Sequence, residues 1–400
     1  MLISFIHYDK IFDKETFMVL IISEEIDMIS QSALSAFNNK LGKQDSRIHS
    51  LSGLKVIAIW LIFWWHSWLN NPPCDLGARC CEFFFVASGF LTYYSHKEAS
   101  TCTWKDSFNA LLRKLAVMWP MHFLAFMICL LLLGREQIFS LSTLVCGILN
   151  LSLLQSWFNY EQVFFSFNGP SWFLSSLLFC YFMAPVLLRL IKKKRKAFIY
   201  LILAFAIRYT IEELEFYHPD TYMNFNIHVS PVIRLFEFFF GMLTACIWSM
   251  VIESISKKLD SLNPHAIFAI ASICEAAVLF LTYYFMLTKQ NAWGRHIFSL
   301  WFCVLIFFFA FDAGIISRLL SLKPMRWFAG IQFEFYIFHI PVLKLVSRYI
   351  EPHITTAAVL AGISFAIIIL LSCLYKHVLK RPSESIMKKI LEKCSKCICE

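Results

Sequence analysis

Apolar runs of membrane-helix length recur along this chain, at 55–69, 81–95, 112–133, 141–156, 171–190, 197–211, 228–250, 266–287, 296–313, 329–348 and 355–376. In hydrocarbon every backbone N–H and C=O must be satisfied internally, so a spanning segment is either a helix or part of a closed barrel. Runs of this length suit helices, not the shorter alternating strands of a barrel. The expected fold is all-α, a polytopic membrane helical bundle. With 58% hydrophobic and 16% charged residues, the composition agrees.

Charge placement sets the expected topology. Most of the 36 Lys and Arg fall before the first run, in 96–114, 189–196, 257–258 and 318–326, and from 376 onward. Short cationic loops face the cytoplasm. Placing them all inside requires an even number of crossings between 96–114 and 189–196. The run at 141–156 is short and carries Ser142, Thr143, Ser152 and Gln155, so it is the one expected not to span. About ten transmembrane helices then satisfy every loop, with both termini cytoplasmic. The net charge of +9 reflects this topology and not a nucleic-acid partner.

The 14 cysteines are scattered singly through apolar segments, as small buried hydrophobes are. Cys394, Cys397 and Cys399 form a CxxCxC tail without a second pair or a nearby histidine, so no metal site is expected. Residues 1–46 read as a cytoplasmic N-terminal segment and 386–400 as a cytoplasmic tail.

Polar residues inside the apolar runs point to function, because hydrocarbon makes them costly. The run Lys55-Val-Ile-Ala-Ile-Trp-Leu-Ile-Phe-Trp-Trp-His66 opens on a cation and ends on an imidazole. Eleven steps of about 100° bring Lys55 and His66 onto one helix face, about 16 Å apart in rise. Ser88-Gly89 in an otherwise bulky run invites close approach of a backbone or ligand. Arg234 and Glu237, three apart, are placed to form a buried ion pair. Glu212-Glu213-Leu-Glu215 through Asp220 reads as an outward acidic segment, solvated or facing an acceptor.

Arg47…Leu51-Ser52-Gly53-Leu54-Lys55, the Lys55-X10-His66 spacing and Phe84-Phe85-Val86-Ala87-Ser88-Gly89-Phe90 resemble the opening of the acyltransferase-3 family of integral membrane acyltransferases. Further pieces agree in order: Arg113-Lys114…Trp119-Pro120, Trp172-Phe-Leu…Tyr181…Pro185, Arg234-Leu-Phe-Glu-Phe-Phe-Phe-Gly241, Tyr336-Ile-Phe-His339-Ile-Pro341 and Lys380-Arg381-Pro382-Ser383. The likeness covers 47–385, the expected membrane acyltransferase domain. The family's opening Asp is Ser52 here, Val117 replaces a cation expected after Arg113-Lys114, and Gly77-Ala-Arg79-Cys-Cys-Glu82 replaces a G-V-D-like turn.

The resemblance implies transfer of an acyl group, acetyl in the expected case, from cytoplasmic acyl-CoA to a hydroxyl of a cell-surface glycan or lipid-linked sugar. Acetyl-CoA would be a co-substrate, with no bound cofactor. A bacterial cytoplasmic membrane is the expected location. Such chemistry needs a base for the hydroxyl proton, donors for the oxyanion and cations for the donor's phosphates. His66, a neutral imidazole in an apolar setting, is the expected base, and Lys55, the other expected catalytic residue, lies on the same face at the cytoplasmic end, where its ammonium can meet a donor phosphate. Arg47, Arg113, Lys114 and Ser88 are assigned to the acyl donor. Glu82, Trp172, Arg234, Glu237 and His339 are assigned to the substrate pathway, His339 because Pro341 kinks its helix. The competing class is a transporter or flippase of a polyprenyl-linked or anionic substrate, which would also use intramembrane His, Arg and Glu. No inverted repeat of the kind such transporters carry is visible.

Overall fold

The computed structural model describes residues 47–69, 76–96, 103–134, 138–217, 226–256, 263–288 and 292–399, so the N-terminal segment and the 218–220 end of the acidic stretch lie outside it. All the regular structure among the described residues is helical. In chain order the helices are α1 (His49–His66), α2 (Leu76–His96), α3 (Trp104–Leu131), α4 (Leu141–Leu151), α5 (Glu161–Phe164), α6 (Ser171–Leu190), α7 (Ala197–Tyr217), α8 (Pro231–Ser256), α9 (Pro264–Thr288), α10 (Ala292–Phe309), α11 (Ile315–Leu320), α12 (Lys323–Ala329), α13 (Gln332–Tyr349), α14 (Ala357–Leu374) and α15 (Lys380–Cys399). A π-helical turn, Tyr375–Leu379, joins the last two.

Among the described residues, five helices are long and apolar enough to cross a membrane: α3, α6, α8, α9 and the continuous α14–α15 stretch to Leu391. Taken together, α12 and α13, bent by 65°, make a sixth. This is fewer than the ten expected from the apolar runs. The difference lies in what the other helices carry. On α2 sit Arg79 and Glu82, and on α7 Arg208 and Glu212, all buried. These charges pair with one another inside the bundle, which lowers mean hydropathy without exposing charge to lipid. The apolar part of α10 is short, Ile297–Phe309, and α1 is diluted by Lys55 and its tryptophans.

The centre of the bundle is the crossing of α2 and α8. A Cβ at Gly89 would overlap the carbonyl of Phe238, and one at Gly241 would overlap that of Val86. The glycines of two separate sequence motifs are therefore the two halves of one backbone-to-backbone contact, the arrangement small residues permit between membrane helices. Phe85, Phe90, Phe238 and Phe240 fill the space around it, all fully buried.

The 141–156 run becomes α4, 11 residues and therefore about 16 Å long, too short to span. The chain turns back after it, with Leu153 and Phe167 in left-handed conformations. Polar side chains hold this excursion in place. His122 and Trp119 of α3 bond the carbonyls of Asn150 and Leu151, both at 2.9 Å. Asn150 donates to Ser166 and Ser171, and Asn168 to the carbonyl of Ile337 in α13 at 3.0 Å. On the opposite side, the Glu275 carboxylate accepts from Gly314 and Ser317 and caps α11, and Ser50 donates to the Phe309 carbonyl. Thr103 and Asp106 close a capping box at the start of α3.

Candidate active site

α1 begins at His49, so Lys55 lies within its second turn and His66 is its last residue. The imidazole is therefore at the far end of the helix, part-buried against it with its outer side open. It lines a cavity of about 420 Å³ at this end of the bundle. The His66 Nδ1 lies 2.9 Å from the Ile62 carbonyl oxygen, one turn back in its own helix. A carbonyl oxygen only accepts, so Nδ1 carries the proton and Nε2 keeps the lone pair. That fixes the tautomer a general base requires.

The cavity wall comes from five parts of the chain. α1 gives Ile62, Trp65 and His66, α2 gives Gly77 and Cys81, and α13 gives Tyr336, Ile340 and Lys344. The returning segment contributes Phe165, Gly169 and Pro170 and leads into Trp172 at the start of α6, and the turn before α8 contributes His228. Gly77 is needed because a Cβ there would stand 2.7 Å from the Trp65 ring. Lys344 donates to the Phe167 carbonyl at 2.6 Å, which ties the returning segment to α13.

His339 stands behind His66, ring centroids 5.2 Å apart. Its Nδ1 meets the Tyr336 carbonyl at 2.5 Å, and its Nε2 is buried with no hydrogen-bond partner among the described residues. The expected pathway residue is thus in contact with the expected base. Trp172, assigned to the substrate pathway from sequence, lines the cavity wall.

Arg234 and Glu237 form the anticipated ion pair at 2.5 Å, fully buried. The pair belongs to a larger network that sequence spacing did not reveal. Arg208 of α7 reaches both Glu237 at 3.2 Å and Glu212 at 2.8 Å, and donates to Ser299 of α10 at 2.6 Å. Ser299 donates to Glu82, which pairs with Arg79. Three arginines and three glutamates thus balance within the bundle. Glu212, expected on an outward acidic stretch, is buried in this network instead, because the Arg208 guanidinium one turn away neutralises it. Likewise Glu82 does not line the cavity; its neighbour Cys81 does.

At the opposite end of the bundle Arg113 and Lys114 line a second pocket, of about 210 Å³, with Arg189, Lys192, His96 and Asp106. Lys114 lies over the Tyr181 ring, 4.2 Å from its centroid. Arg47 and Lys114 are close enough for their charges to act on Lys55. The acyl-donor cations named from sequence therefore fall at one end, apart from His66. Arg189 and Lys192 entered the sequence reading only as topology signals, although their spacing from Pro185 puts them on the same pocket. Ser88 lines neither cavity; it precedes the glycine of the α2–α8 crossing.

Comparison with known proteins bears on this geometry. A family model described as an acyltransferase domain matches residues 48–376. The chain is 30% identical over 169 residues to the acyltransferase MdmB of Streptomyces mycarofaciens, a match covering 37% of this chain and 41% of the relative. The aligned part is therefore less than half of that curated relative's length. No solved structure matches. With most of its length inside the family model, the chain belongs to the acyltransferase-3 family of membrane proteins.

Proposed function

We propose that this protein is an O-acyltransferase that takes an acyl group, acetyl in the simplest case, from acyl-CoA at the cationic end and passes it to an acceptor hydroxyl in the His66 cavity. The observation that carries the reading is the committed Nδ1 of His66, which leaves a basic Nε2 on a residue lining a substrate-sized cavity. Arg113, Lys114, Arg189 and Lys192 surround the second pocket with positive charge, suited to the donor's phosphates. Trp65, Trp172 and Tyr336 offer aromatic faces for a sugar ring, in keeping with a glycan or lipid-linked sugar as acceptor.

The topology belongs to the same proposal. Ten crossings, with α1, α2, α7 and α10 spanning as helices that carry charged residues, put the cationic pocket on the cytoplasmic side and the His66 cavity outside, in a bacterial cell membrane. The pairing of Lys194 with Glu253 at 2.7 Å supports a shared side for the α6–α7 loop and the end of α8.

The deciding experiment measures transfer of labelled acetyl from acetyl-CoA to acceptors in membranes holding the wild type or His66→Ala. Loss of a general base lowers the rate by roughly 10²–10⁴-fold. Equal labelling by both would remove His66 as base. No labelling by either, with substrate movement across vesicles instead, would favour the transporter class.

A further inference from the structure

The outward cavity holds a second histidine that no sequence motif announced. His228 lies in the turn before α8, with its ring 4.7 Å, centroid to centroid, from that of Trp172. Its placement is governed by Arg234. The guanidinium Nε donates to the His228 carbonyl at 2.8 Å, and Nη2 lies 3.3 Å from the ring Nδ1. A guanidinium has no acceptor, so Nδ1 accepts and the ring proton sits on Nε2. Arg234 cannot turn away, because Glu237 holds its other amino group and the rings of Phe85 and Trp172 flank it. Burial and the charges of Arg234 and Arg79 pull the His228 imidazole down to about 3, so the ring stays neutral at physiological pH.

Two histidines of one cavity are thus fixed in opposite tautomers. His66 offers a lone pair, and His228 offers an N–H. We propose that His228 is the oxyanion donor of the acyl-transfer reaction, holding the acyl carbonyl oxygen while His66 takes the acceptor's proton; the assignment rests on the acyl-transfer reading above. The acceptor oxygen bonds to the acyl carbon as its proton moves to His66 Nε2. The carbonyl electron pair shifts to oxygen, where the His228 N–H meets it. When that pair returns, the carbon–sulfur bond breaks, and His66 hands its proton to the departing thiolate, leaving an ester and a thiol. A neutral donor pre-aimed by a buried ion pair needs no rearrangement as charge develops. The Arg234–Glu237 pair acquires a purpose beyond packing, as the positioning element for His228.

The test uses the full chain with acetyl-CoA and the membrane acceptor fraction that the wild type labels. Rates, donor KM and thermal stability are compared for wild type, His228→Ala and His228→Gln, with binding of a non-transferable thioether analogue of acetyl-CoA. Removing an oxyanion donor lowers kcat by about 10²–10³-fold. The expected result is such a loss in His228→Ala with analogue binding retained, and recovery of at least about tenfold in His228→Gln, whose amide N–H substitutes for the donor. The assignment is overturned if His228→Ala keeps wild-type kcat, if only acceptor KM changes, or if Gln is no better than Ala while both bind the analogue. A wild type that transfers nothing brings down the acyl-transfer reading and this assignment with it. A wild type that transfers, a His66→Ala that does not and an unaffected His228→Ala bring down this assignment alone.

Discussion

In the proposed reaction, the roles of His66 and His228 follow from which ring nitrogen each has already committed to a partner. His66 was legible from sequence as an ionisable group in an apolar run, and His339 and Trp172 from their motifs. His228 was not, because nothing in its neighbourhood of the chain marks it, and the role proposed for it comes from an arginine six residues on that folds back over it. Its only sequence trace is that spacing. At the other end of the bundle, Arg113→Ala tests the proposed donor site, where it would remove one charged contact to the donor's phosphates. Hydrogen bonds to charged groups are worth about 1.5–3 kcal/mol. Donor KM is therefore expected to rise about 10- to 100-fold with kcat little changed, in initial-rate measurements with acetyl-CoA varied. A fall in kcat at constant KM would place Arg113 outside the donor site.

Among the elements, the α2–α8 crossing carries the architecture. Ser88-Gly89 announced a close approach, but sequence alone could not say that its partner was the glycine closing the Arg234 motif, since pairing between distant helices leaves no local pattern. Gly89→Ala sets a methyl against the Phe238 backbone, which has no rotamer to yield. Overpacking costs typically 1–3 kcal/mol and more where only backbone can move. The variant is expected to lose yield and melt several degrees lower. Gly362→Ala on α14, where an added methyl meets nothing within 4 Å, is the control and is expected to be neutral or slightly stabilising. Thermal unfolding of the two variants in one detergent checks both. Equal effects would mean that α2 and α8 do not touch there.

At the scale of the whole molecule, the sequence conveyed an all-helical membrane bundle and a short run at 141–156 that does not cross. Its count of ten crossings exceeds the five or six helices that are long and apolar enough among the described residues, because α2 and α7 carry charges that cancel against neighbours inside the bundle and lower the apolarity of those helices. Single cysteines introduced into a cysteine-free chain at Tyr160 and Arg195, both exposed, test the proposed arrangement. Tyr160→Cys is expected to react with an impermeant maleimide from outside intact cells, and Arg195→Cys only after the membrane is breached. Labelling of both from one side would refute the ten-crossing topology. The stretch between α3 and α6 has a consequence of its own. It supplies part of the wall of the His66 cavity yet is suspended from the bundle by a few polar anchors, His122, Trp119, Lys344 and the amides of Asn150 and Asn168. On the acyl-transfer proposal, a lineage can therefore change which acceptor fits by redrawing that balcony, while the helices and the proton chemistry assigned to His66 stay as they are.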